Sequence, residues 1–292
     1  MKIIIIGASG LVGSHCMDLF ESVGEEVVGT HLNFATERTI YFNPLSNSNG
    51  NLDLDQFKPE VIIHCAALTN VDYCENNVLE SERATVLSTK KLVNYCKKNG
   101  VKLVYISTDY VFDGNMGPYT EDAATNPINI YGQHKLKAEL LVKTLNNYLI
   151  ARITNVYGEE VRSKNFVLRL IKLFQNNEET ELNLPADQFA TPVYAGDVAR
   201  MLYKLILDNK NGIYNLSSSD YYTRYSLAKR VKSYFPDNEK IVLKSVLTNK
   251  LNQPARRPLN GGLLNIKFLN EYNDFKLSNV DDFISKMIKY EL

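Results

Sequence analysis

The sequence predicts an α/β fold, a doubly wound parallel sheet with helices on both faces and a smaller C-terminal lobe. Three observations predict it. Apolar runs of strand length alternate with helical spacings through the first half of the chain. Those strands are apolar throughout rather than alternating, as in a sheet covered on both faces. A glycine-rich turn follows the first strand directly.

The elements are justified in order. Lys2 to Ile6 reads as a buried strand. Leu11 to Val23 has helical spacing and stops at Gly24, a residue suited to the left-handed position past a helix end. Glu26 to Gly29 is short and β-like, and Asn47 to Asn51 is a polar loop. Val61 to Cys65 is another buried strand. Glu80 to Asn99 reads as one helix ending at Gly100, and Val101 to Ser107 as the next strand. Ile130 to Thr144 is a helix and Tyr148 to Ile153 a strand. Beyond about residue 155 the pattern loosens. Helices are expected at Phe166 to Phe174, Asp197 to Leu207 and Tyr225 to Tyr234, with Pro185, Pro192, Pro236, Pro254 and Pro258 punctuating the stretches between. The expected division is residues 1–155 for a dinucleotide-binding domain and 156–292 mainly for a substrate lobe, with segments returning to the sheet.

Composition excludes several classes. The chain has 292 residues, 45% hydrophobic and 23% charged, which is enough for a core of normal size. Lys plus Arg balances Asp plus Glu at 33 each, so nothing advertises a nucleic-acid partner. The N-terminal apolar run breaks at Gly7, and no stretch approaches the ~18 apolar residues of a membrane span. No membrane partner is expected, and the expected location is the cytoplasm. Cys16, Cys65, Cys74 and Cys96 form no C-x-x-C pair; reduced thiols packed as small apolar groups are expected.

Gly7, Gly10 and Gly13 are spaced G-x-x-G-x-x-G between the first strand and first helix. Glycine serves where a turn is tight and a backbone must approach a pyrophosphate. The helix start then offers free N–H groups and a positive dipole end to the phosphates. This predicts a dinucleotide site of the Rossmann type. The second strand ends Val27-Val28-Gly29-Thr30-His31-Leu32, without the carboxylate that binds a ribose 2′-hydroxyl and repels a 2′-phosphate. Arg38 lies a few residues on. NADP(H) is therefore expected ahead of NAD(H), which the site would also admit, with Thr30 and Arg38 either as contacts or as plain surface residues.

Tyr131 and Lys135 stand one helical turn apart on one face. A hydride-transfer enzyme needs a proton donor for the alkoxide it forms, and an ammonium nearby lowers a phenol's pKa. Two more such pairs, Tyr225 with Lys229 and Tyr272 with Lys276, are read as chance. Context singles out Tyr131: it follows Pro127, and the strand before it ends in Ser107-Thr108-Asp109-Tyr110. A hydroxyl at the tip of a parallel strand faces the ligand crevice. Thr108 can then either bond a substrate carbonyl beside Tyr131 or serve only as a turn-forming hydroxyl.

Read in order, these residues resemble the extended short-chain dehydrogenase/reductase superfamily, and within it the dTDP-4-dehydrorhamnose reductase family. The resemblance runs over nearly the whole chain. It is carried by Ser107-Thr108-Asp109-Tyr110-Val111-Phe112-Asp113-Gly114, Pro127-Ile128-Asn129-Ile130-Tyr131-Gly132, Asp187-Gln188-Phe189-Ala190-Thr191-Pro192, Arg257-Pro258 and the stretch from His64 to Asp72. It implies a nucleotide-sugar reductase with Thr108, Tyr131 and Lys135 as catalytic triad. It implies that Gly10, Leu11 and Val12 hold the pyrophosphate and that Ala66, Ala67, Leu68 and Thr69 line the cofactor. Thr108 and Asp109 would touch the sugar, and Gln188 and Arg257 would lie near the diphosphate, unless Arg257 is a solvated surface charge.

Three positions depart from the family pattern. Thr85 stands where an active-site asparagine is usual, and Asn155 where the rhamnose enzyme has a tryptophan. Asn155 would offer hydrogen bonds to the sugar in place of an indole wall. His15 replaces a glutamate that holds a metal at the dimer contact of some relatives, so no metal is expected; a homodimer is compatible with the pattern. The same family includes the regulatory subunit of methionine adenosyltransferase, a binding partner built like a reductase, which stands as the second reading.

Overall fold

The computed structural model describes residues 1–46, 52–176 and 178–290. The predicted polar loop Asn47 to Asn51 lies outside the described residues. β1 (Lys2–Ile6) leads into α1 (Leu11–Ser22), β2 (Glu26–His31), β3 (Thr39–Tyr41) and the short α2 (Leu54–Phe57). β4 (Val61–His64) is followed by α3 (Val71–Asn76), α4 (Val78–Glu82) and α5 (Ser88–Asn99), and then by β5 (Lys102–Thr108). α6 (Ile130–Val142), β6 (Tyr148–Ile153), α7 (Phe166–Asn176), β7 (Thr180–Pro185) and β8 (Phe189–Ala190) come next. α8 (Ala195–Leu207), β9 (Gly212–Asn215), β10 (Tyr222–Thr223), α9 (Arg224–Lys232), β11 (Ile241–Val246), α10 (Ile266–Glu271) and α11 (Val280–Tyr290) complete the described chain.

Seven strands form one parallel sheet in the order β3-β2-β1-β4-β5-β6-β9. The strand order reverses between β1 and β4, so the loops leaving these two strands diverge and open the crevice where ligands of such sheets bind. The apolar strands are explained by two cores. Ile3, Ile5, Val104 and Ala151 face α1, α8 and α10, while Ile4, Ile6, Tyr105 and Ile150 face α5 and α6. β9, drawn from well beyond residue 155, extends the sheet through Leu149↔Gly212 to Arg152↔Asn215. The remaining strands pair off the sheet as β7 with β11 and β8 with β10, beside a third core of α7, α9 and α11.

The helix expected over Glu80 to Asn99 is interrupted. Arg83–Leu87 forms a π-helical turn between α4 and α5, and Gly100 ends α5 in the left-handed region as expected. All four cysteines are free, with Cys16, Cys74 and Cys96 buried and Cys65 partly so. Among the described residues no helix is long and apolar enough to cross a membrane.

Candidate active site

The glycine turn has the geometry of a phosphate cradle. Gly7 adopts φ +86°, and a Cβ there would lie 2.9 Å from the Ala66 nitrogen, so the loops after β1 and β4 touch through it. A Cβ on Gly13 would lie 2.5 Å from the Gly7 carbonyl oxygen. Gly10 caps α1 without any side-chain acceptor. The first-turn N–H groups of Leu11, Val12 and Gly13 have no partner within the helix. Such a turn fits a dinucleotide diphosphate. Ala66, Ala67 and Leu68 are partly buried and Thr69 is exposed on the opposite lip of the crevice.

The two residues expected to read the 2′-phosphate are placed otherwise. Thr30 is only 1% exposed; its hydroxyl donates to the Ile5 carbonyl at 3.3 Å and accepts from Gly7 N at 3.4 Å. It braces the glycine turn from behind. Arg38 is exposed but folds back on α1, pairing with Asp18 at 2.5 Å and Glu21 at 2.6 Å.

Thr108 is the last residue of β5, and Tyr131 and Lys135 lie in the first turns of α6. Thr108 and Tyr131 meet through a side-chain hydrogen bond, because α6 approaches Tyr110 closely, while Lys135, one turn on, points to the Ile106 carbonyl. A Cβ on Gly132 would lie 2.1 Å from the Tyr110 carbonyl oxygen, so the residue after Tyr131 must be glycine. Asn129 caps α6 by accepting from Gly132 N at 2.8 Å and ties it to the lobe by donating to the Arg256 carbonyl at 2.7 Å. One turn on, the buried Arg152–Glu139 pair, 1% and 0% exposed, clamps α6 to β6 at 2.8 Å, and Ser107 donates to Glu139 at 2.6 Å.

Burial pushes the Tyr131 phenol above its ordinary pKa, and a hydrogen bond with the Thr108 hydroxyl pulls it partway back. Thr108 also accepts from Tyr110 N at 3.3 Å, so it is a turn cap and a site hydroxyl at once. Lys135 is 3% exposed, donates to the Ile106 carbonyl at 2.5 Å and sits 4.2 Å from the Tyr105 ring centre. Burial lowers its pKa to about 7, against the opposing charge of Glu139. The expected lowering of Tyr131 by Lys135 is therefore not what sets the phenol here. The ammonium is itself destabilised and turned to a carbonyl, so desolvation dominates. His64, beneath Lys135, is driven down to about 3 by burial and by the lysine, and is neutral near pH 7.

Asp109 is 5% exposed and stands behind Thr108. It accepts from Thr154 at 2.7 Å and Thr108 at 3.2 Å, so it braces the Thr108 hydroxyl from behind. Burial raises its pKa. Arg257 is no solvated charge: its side chain is 9% exposed and pairs with Asp72 at 2.7 Å. Gln188 donates to Thr248 at 2.9 Å, tying β8 to the lobe. Asn155, in the left-handed region at φ +42°, accepts from Arg224 at 2.5 Å. Arg224 is the residue that sequence reasoning missed, since its partner lies 69 positions away. Thr85 sits in the π turn, buried and with its hydroxyl unpartnered. The His15 ring Nε2 donates to the Glu159 backbone oxygen at 3.0 Å. The two other Tyr–Lys pairs lie elsewhere: Tyr225 packs in the lobe core, and Tyr272 donates to Asp208.

The fold and this site define a dinucleotide-dependent oxidoreductase of the short-chain type. The model of the RmlD substrate binding domain matches residues 1–291, and the chain belongs to that family. It is 34% identical over 217 residues to a dTDP-4-dehydrorhamnose reductase of Sinorhizobium fredii, covering 70% of this chain and 72% of the relative. It is 32% identical over 233 residues to methionine adenosyltransferase 2 subunit beta of Xenopus tropicalis, covering 77% and 70%. The structure of a Bacillus anthracis dTDP-4-dehydrorhamnose reductase in complex with NADP superposes with a TM-score of 0.86 at 28% identity, covering 99% of this chain and 100% of that one.

Proposed function

We propose that the protein reduces the C4 keto group of a nucleotide-linked 6-deoxysugar, with dTDP-4-dehydro-L-rhamnose as the model substrate and NADP(H) preferred to NAD(H). The observation that carries this reading is the hydrogen bond of Thr108 with Tyr131 at the tip of β5, with the buried Lys135 one helical turn on and the glycine turn after β1 in the same sheet. When bound, the nicotinamide supplies a hydride. Thr108 orients the carbonyl oxygen, and Tyr131, held protonated by its burial, gives its proton to that oxygen. Lys135, with a pKa lowered to about 7 by burial, would return the phenol's proton by way of the cofactor ribose. Asp109 and Asn129 keep Thr108 and Tyr131 in register. Residues 1–155 would hold the dinucleotide, and 156–292 mainly the sugar nucleotide. The reading puts the protein in the cytoplasm, in keeping with four free thiols, and accommodates a homodimer.

The test is NADPH oxidation over a panel of nucleotide 4-ketosugars. Tyr131→Phe should lose about 10²–10⁴-fold in turnover, while Tyr225→Phe keeps the wild-type rate. Equal turnover in both variants sinks the assignment. The second reading, a dinucleotide-binding regulatory subunit, is favoured by the 32% identity to methionine adenosyltransferase 2 subunit beta and by Thr85 in the asparagine's place. A pull-down for a stable partner, run beside the turnover assay, separates the two: a partner without turnover selects the second.

A further inference from the structure

After β6 the chain enters a loop, residues 158–165, that runs against the start of α1. A Cβ on Gly158 would lie 3.3 Å from Leu11 Cδ1 and 3.1 Å from His15 Nε2. Leu11 opens the helix whose first N–H groups form the phosphate cradle. The loop is tied on both sides. The Glu159 carbonyl accepts from His15 at 3.0 Å, and the Glu159 carboxylate accepts from Tyr194 at 2.9 Å and Lys286 at 2.5 Å. The Glu160 carboxylate accepts from Lys164 N at 2.7 Å and Asn165 N at 2.5 Å, and Asn165 Nδ2 donates back to the Gly158 carbonyl at 2.8 Å. Between these ties lies the tip, Val161-Arg162, with both residues exposed.

Arg162 reaches a different part of the sheet. Its guanidinium lies over the Phe34 ring, 5.2 Å from the ring centre. Phe34 stands three residues past the end of β2, in the stretch where dinucleotide folds meet the adenosine ribose. It is half-buried, although Leu32, Asn33 and Ala35 around it are exposed. Thr39 fixes the turn of this stretch: its hydroxyl accepts from Thr36 N at 3.0 Å and donates to the Thr36 carbonyl at 3.2 Å. From His31 to Thr36 the stretch carries no carboxylate to repel a 2′-phosphate. Among the described residues Arg162 forms no ion pair, whereas Arg38, on the same stretch as Phe34, is closed on Asp18 and Glu21.

We propose that Arg162, positioned by Phe34, reads the 2′-phosphate of NADP(H), and that the loop 158–165 clasps the adenosine half of the cofactor. The proposal rests on the NADP(H) reading and names the group that makes the preference. A guanidinium over an aromatic face is held by the ring and keeps the N–H donors at its edge. Those donors match two phosphate oxygens at once. Arg162 can therefore take a dianion without giving up a partner, whereas Arg38 would first have to leave two carboxylates. The loop runs from Leu11, at the diphosphate end of the cradle, to Phe34, at the ribose end, and a dinucleotide laid along that edge meets both. Arg162 is a selectivity residue and takes no part in the hydride or proton step.

The full chain is titrated with NADPH and with NADH, followed by nicotinamide fluorescence. NADH lacks only the 2′-phosphate, so the ratio of the two affinities isolates its recognition. The wild type should favour NADPH. Arg162→Gln should cut the ratio about tenfold or more, the loss expected for a hydrogen-bonded contact between charges, with NADH affinity within about twofold of wild type. Arg38→Gln should leave the ratio unchanged. Phe34→Leu should lower it and Phe34→Tyr should keep it; a ratio that Phe34→Leu does not move overturns the positioning role. An Arg162→Gln protein with the wild-type ratio overturns the proposal and leaves the NADP(H) reading intact. So does an equal loss of NADH and NADPH, which would make the loop a general brace. A wild type that binds both alike overturns the proposal and the NADP(H) preference together.

Discussion

Replacing Glu139 by alanine tests how the active helix is held. Glu139 is fully buried and accepts from Arg152 Nε at 3.0 Å, from Arg152 Nη2 at 2.8 Å and from Ser107 at 2.6 Å. The truncation leaves a guanidinium that is 1% exposed, with one remaining hydrogen bond, to the Glu121 carbonyl at 3.3 Å. Removing one partner of a buried ion pair strands the other charge, and the loss is about 3–5 kcal/mol. At roughly 2–4 °C per kcal/mol for a chain approaching this size, the melting temperature should fall on the order of 10 °C. Differential scanning calorimetry with NADP(H) absent measures it. The double variant Glu139→Met, Arg152→Met should recover most of the loss, because it removes the stranded charge as well. A single variant that melts within about 2 °C of wild type would refute the reasoning, as would a double variant less stable than the single one.

Two further outcomes follow from the site. Gly13→Ala should abolish NADPH binding in a fluorescence titration, because the new Cβ would lie 2.5 Å from the Gly7 oxygen and 2.7 Å from Ala8 Cα, both backbone atoms; affinity within about threefold of wild type would contradict the cradle. Lys135→Met should stabilise the protein most at low pH. The folded-state pKa of Lys135 is depressed from 10.5 to about 7, so the unfolded chain binds the extra proton between those values. The burden of the buried charge is full below about pH 7 and fades as the pH rises toward 10.5. Melting curves of both proteins across that range should converge at the alkaline end; a constant gap would refute the depressed pKa.

The parts of the site legible in the sequence are those encoded by neighbours in the chain. The Gly7–Gly13 turn is legible because a strand and a helix flank it within a dozen residues. Tyr131 and Lys135 are legible because one helical turn joins them, and Thr108 because a strand tip in a parallel sheet points to the crevice. The sheet follows from strands that are apolar on both faces, whereas β3, β8 and β10, of two or three residues each, carry no periodicity to detect. The π turn at Arg83–Leu87 is invisible for a similar reason: its composition suits an ordinary helix, and only packing inserts the extra residue.

What the sequence could not reveal is which charges are already answered. Arg38, Arg257 and Arg224 look alike as letters, and the first two were the natural candidates for phosphate. Their carboxylates lie 20 and 185 residues away along the chain, at Asp18 and Asp72, and only the fold makes those pairs. An arginine closed on a carboxylate must give up that partner before it can take a phosphate, so its differential affinity for the ligand is small. Arg224 forms no ion pair among the described residues: it hydrogen-bonds the Asn155 amide, with Tyr110 and Asp109 favouring its charge and Arg257 and Arg169 opposing it. The same distinction applies to hydroxyls: Thr30 is engaged by the Ile5 and Gly7 backbone, whereas Thr108 meets the phenol of Tyr131. The fold thus decides which of these groups are engaged: Arg38 and Arg257 by carboxylates, Thr30 by the backbone, and Thr108 by the phenol one helix away.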